Sequence, residues 1–139
     1  MNNHKILVFS SSFFILPFLY LYLFVEDPNP YEFALSVLLL FNFILSTLFW
    51  HNPIKHSIIH RMDGYLAKIM VVLVFIYVAF IKEIEQYYKF VFYGFYLLFM
   101  KMAKLSNIFS RKIWCSDIHI FCHFFMHLCG IFGVYIAFI

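Results

Sequence analysis

The stretch HIFCHFFMHLCG carries His119, His123 and His127, each four residues from the next, in a nearly uncharged run. On a helix His123 and His127 share a face, so their imidazoles can grip one metal ion. Packing and hydrogen bonding alone is the competing reading of such a pair. A third ligand must come from another helix, and His51, directly after STLFW, is the best candidate. Three neutral imidazoles on zinc leave a fourth position for water, whose pKa the metal lowers. His56 and His60 are a second pair with the same spacing and can replace His51, or form a solvated interfacial stripe. His119 extends the last stripe by one turn and ranks below its two neighbours.

Asp63 is the costliest group of the set, because a carboxylate near hydrocarbon needs a partner or a cavity. It can accept a proton from a metal-bound water. It can also stand at a helix N-terminus or pair with Arg61 or Lys68. Thr47 lies four residues before His51 and Ser46 five before it. Either hydroxyl can orient a water or an oxyanion, and either can bond back to its own helix.

The elements that hold these residues follow from composition. Of 139 residues, 65% are hydrophobic and 12% charged, with 21 Phe and 10 Tyr. A single domain of this size cannot bury that much aromatic surface in water, so lipid is its natural solvent. The net charge of +3 is spread between apolar runs, and no nucleic-acid motif is present. Cys115, Cys122 and Cys129 have no CxxC spacing and read as small packing residues.

The apolar runs predict an all-α, polytopic transmembrane bundle over 1–139, with about five helices. They cover about 6–25, 33–51, 57–81, 87–104 and 118–138, the fourth being short for a bilayer. The first run reads as a retained helix, since no small-residue cleavage site follows it. The 26–32 loop is acidic, whereas 51–62 and 101–117 are basic. The positive-inside rule then puts the N-terminus and both basic loops in the cytosol, and the C-terminus on the opposite side. His51, Asp63 and the last histidine stripe therefore share one depth.

STLFWH, HRMDGYLAKI and HFFMHLCGIFGVY resemble conserved pieces of the membrane hydrolase superfamily that contains alkaline ceramidases and the progestin/adiponectin receptors. The resemblance implies zinc on His51, His123 and His127, with Asp63 at the start of the third helix. It also implies a serine four residues before the first histidine, a place held here by Thr47, with Ser46 one position earlier. The glycines and tyrosine after the HxxxH pair fall on Gly130, Gly133 and Tyr135. The family has seven helices against five here, so the resemblance implies a shortened member.

The expected function is zinc-dependent hydrolysis of a lipid amide or ester, ceramidase-like, with Asp63 as base and Thr47 or Ser46 placing water or oxyanion. The alternative is a non-enzymatic receptor-like or structural subunit, with zinc or haem on the histidines. The expected partner is a membrane lipid. A second copy of the chain or a partner membrane subunit is the expected means of closing a reduced cavity.

Overall fold

The computed structural model describes residues 3–139, all of them in helices or short connections. The first rod is two helices, α1 (Lys5–Ser12) and α2 (Ile15–Phe24). Pro17 explains the break: it has no N–H for the Phe13 carbonyl, and its ring crowds that carbonyl. The joint is bridged by tighter bonds, Phe14 N–H to Ser11 O and Leu16 N–H to Phe13 O.

The second rod, α3 (Pro30–His51), begins three residues earlier than the apolar run suggests. Asn29 and Glu32 form a capping box, and Pro30 needs no hydrogen-bond partner at the first position. The third rod is α4 (Ile58–Ile76), capped by Ser57, and it continues as a π-helical turn over Tyr77–Ile81. The fourth, α5 (Gln86–Lys112), runs eight residues beyond the expected 104 and takes in much of what reads as a basic loop. Arg111 and Lys112 in its last turn complement the helix dipole. The fifth, α6 (Asp117–Phe138), is capped by Ser116.

The fold is thus an all-α bundle of five rods. Four of them, Lys5–Phe24, Pro30–His51, Ile58–Ile81 and Asp117–Phe138, are long and apolar enough to cross a membrane. The amphipathic α5 is not among them. Apolar side chains such as Phe24, Phe80 and Leu97 point outward, as a lipid solvent allows.

The most extensive packing is α5 on α6, while α3 packs on α4, α1 and α2. At Gly130 an added Cβ would meet the Phe99 ring at 3.4 Å, an ordinary van der Waals contact, so α6 lies directly against α5 here. The α4 and α5 backbones scarcely meet. Their contact is an aromatic group near the connecting turn, where Phe75 lies 4.6 Å from Tyr96 and 6.2 Å from Tyr93 between ring centres. From there the two helices splay apart.

At the same end Glu32 is tied from three sides. Lys82 Nζ and Tyr77 Oη each donate to its Oε1 at 2.8 Å, and the Asn29 N–H donates to Oε2. Lys82 also donates to the Ala137 carbonyl at the end of α6. The bundle is clamped at this end.

Candidate functional site

The splay leaves a cleft of about 710 Å³ with walls from α3, α4, α5 and α6. Its deep part is apolar, with Leu39, Met70, Val74, Phe92 and Val134 among its walls. Its polar part gathers Ser46, His60, Asp63, His119, His123 and His127. Residues remote in sequence are therefore brought to one cavity by four helices. Asp63 is 9% exposed, faces the Ser46 hydroxyl, and makes no ion pair with Arg61 or Lys68.

The α6 stripe is continuous: ring centres are 5.8 Å apart for His119–His123 and 4.8 Å for His123–His127. Each imidazole is held through Nδ1. Ser10 Oγ is 2.8 Å from His127 Nδ1, Ser106 Oγ is 3.0 Å from His123 Nδ1, and the Cys115 N–H donates to His119 Nδ1 at 3.2 Å. His60 Nδ1 accepts from the His56 N–H at 2.9 Å. Sequence reasoning passed over Ser10, Ser11 and Ser106. The available signal was polar hydroxyls inside or beside apolar helical runs.

These partners fix several tautomers by proton counting. A neutral imidazole whose Nδ1 accepts a bond carries its proton on Nε2, which is the case for His60 and His119. Ser10 Oγ also contacts the Leu7 carbonyl at 3.2 Å. Both Ser10 contacts are made together only if its proton goes to Leu7 and His127 Nδ1–H donates to Ser10. The His127 Nε2 lone pair is then free. Ser11 behaves likewise, with a 2.7 Å bond to Leu7 O and a 3.0 Å contact to Ser46 Oγ. Ser46 therefore donates to Ser11.

The other expected site residues lie elsewhere. His51 is exposed at the end of α3 and does not line the cleft. Trp50 takes the inward place, with its ring centre 4.7 Å from that of His123. Helical spacing explains this: Asn42, Ser46 and Trp50 form one stripe at four-residue intervals, while Thr47 and His51 follow the neighbouring one. Thr47 is outside the cleft lining, and its buried Oγ1 has no partner among the described residues. His56 is exposed, with a left-handed backbone (φ 66°), and serves His60 through its N–H.

The loop after α3 closes this end. Lys55 Nζ donates to the Ser110 carbonyl at 2.9 Å, and Trp114 Nε1–H donates to the Pro53 carbonyl at 3.1 Å. Trp114 lies 5.2 Å from His60 and 5.1 Å from His119, so rings cover the polar end.

The donor set bears on zinc directly. His127 offers a free Nε2, and His123 stands beside it. His60 and His119 present N–H donors, and His51 points away. No three His, Cys, Asp or Glu side chains among the described residues are placed to share one ion. The side chains as placed do not bring His51 to His123 and His127. Comparison with family models, curated proteins and solved structures gives no match.

Proposed function

We propose that the chain takes a membrane lipid into the α3–α6 cleft and hydrolyses an amide or ester bond in it. One observation carries this reading: Asp63, Ser46, His123 and His127 line the polar part of a cleft whose remaining walls suit an acyl chain. Water attacks the carbonyl carbon and gives a proton to Asp63. The carbonyl oxygen becomes an oxyanion, for which the Nε2–H groups of His60 and His119 supply donors. Collapse breaks the C–N or C–O bond, and Asp63 returns its proton to the leaving amine or alkoxide. Ser46, held by Ser11, orients the water. No step passes through a metal.

The histidine-bearing end faces the cytosol in this reading, with the C-terminus on the opposite side. Lys55, Arg61, Arg111 and Lys112 lie at that end, in keeping with the positive-inside rule.

The test is release of fatty acid from ceramide and from glycerolipids by the purified chain in nanodiscs, followed by mass spectrometry. Asp63→Asn is expected to lower the rate by about 100-fold or more. Undiminished hydrolysis by that variant would sink the mechanism. A second reading, lipid binding without turnover, is favoured by the internal hydrogen bonds that hold all four cleft imidazoles at Nδ1. Lipid retained by the wild type with no product would select it.

A further inference from the structure

Two lysines flank the open side of the cleft. Lys68 on α4 and Lys104 on α5 both line it, from the two helices that splay apart. Lys68 lies ten residues into α4, about 15 Å from its start. Lys104 lies eight residues before the end of α5, about 12 Å from that end. The two ends belong to the same side of the bundle, so the ammonium groups flank one mouth at similar depth. Neither has a carboxylate partner among the described residues, where Lys82–Glu32 is the one ion pair. Lys68 instead sits over the Tyr65 ring at 5.6 Å.

Cations at this depth are costly unless they meet an anion. Asp63 is the one carboxylate in the lining, and it makes no ion pair with either lysine. The α3 wall adds two buried polar groups beside the cleft. Trp50 is 1% exposed and Asn42 is 6% exposed, and both line the cleft. The Trp50 indole N–H and the Asn42 Oδ1 have no hydrogen-bond partner among the described residues. Buried polar atoms of this kind cost free energy unless a partner arrives.

We infer that the cleft is built for a phosphate-bearing, anionic lipid that enters from the bilayer between α4 and α5, with Lys68 and Lys104 holding its phosphate. The acyl chain follows the apolar walls toward Phe92 and Val134. This inference rests on the lipid-cleft part of the proposed function, and it names the class of lipid.

The experiment reads binding, so it stands apart from turnover. The full chain goes into nanodiscs with equal amounts of phosphatidylcholine and phosphatidylglycerol, and native mass spectrometry records the lipid retained. Wild type should favour phosphatidylglycerol by about tenfold or more. K68Q/K104Q should lose that preference, whereas K101Q/K112Q, altered outside the cleft lining, should keep it. Lys104→Gln alone, on an exposed position, should lose part of it and serves if the double variant does not fold.

A preference that survives K68Q/K104Q, or falls equally in K101Q/K112Q, overturns the inference in favour of ordinary lysine contact with bulk lipid. Preferred retention of phosphatidylcholine overturns it and leaves the hydrolase reading standing. Phosphatidylglycerol preference without any hydrolysis supports it while removing that reading.

Discussion

Ser10 on α1 and His127 on α6 meet across 117 residues of chain, with Oγ and Nδ1 2.8 Å apart in the buried interior. The contact joins the first rod to the last and sets which nitrogen of His127 is free. Ser10→Ala leaves a buried Nδ1–H without a partner. That substitution should cost about 1–3 kcal/mol. Thermal unfolding in detergent would show it as a lower midpoint, and Ser106→Ala should act likewise through His123. An unchanged midpoint in both would mean that these contacts are not made.

The Glu32–Lys82 pair is mostly buried, with side chains 8% and 11% exposed. Removing one partner leaves the other charge stranded. Lys82→Met should therefore destabilise by about 3 kcal/mol, and E32Q/K82M should be less damaging than K82M alone. A double-mutant cycle on thermal or denaturant unfolding checks this. Additive losses would show that the ion pair is not coupled.

The adjacent rings of His123 and His127, with His51 on another face, predict at most weak zinc uptake that a chelator reverses and that does not involve His51. Elemental mass spectrometry before and after dialysis against EDTA gives the measure. H123A/H127A should abolish uptake, and His51→Ala should leave it unchanged. One tightly held zinc per chain, lost on His51→Ala, would mean that His51 turns inward and completes the cage.

Cys115 lies in the turn between α5 and α6, where burial pushes its thiol pKa above the usual value. A raised pKa favours the neutral thiol, so less thiolate is present at any pH below it. Maleimide should label Cys115 more slowly than free cysteine at neutral pH, and the rate should climb as pH passes 9. C122A/C129A isolates the signal. Labelling as fast as the free amino acid would contradict the buried setting.

Hydropathy alone located the rods, because uninterrupted apolar runs leave few alternatives to a helix in lipid. The extent of α5 was not legible that way. Its apolar run stops at Met100, and the remainder is an amphipathic continuation that packs on α6. Ser106 was hidden inside what read as a loop.

Asp63 and the α6 stripe were legible because polar groups in an apolar helix are conspicuous, and the structure brings them to one cleft. The partner from α3 was harder to read. One residue of helix is a turn of about 100°, and that separates outward His51 from inward Trp50. The run STLFWH supports either stripe until the packing of α3 on α1 and α4 is known.

The π-helical turn at Tyr77–Ile81 works as a register shift. Its wide loop closes a bond from the Lys82 N–H to the Tyr77 carbonyl, five residues back. In an ordinary helix, residues five apart diverge by about 140° around the axis; the wider turn narrows that angle. Tyr77 and Lys82 can then reach the same oxygen of Glu32. Deleting one residue between them would restore even winding and leave the two side chains four apart, about 40° around the axis, still on one face. The wide turn thus takes up one extra residue while keeping the fastening of this end of the bundle intact.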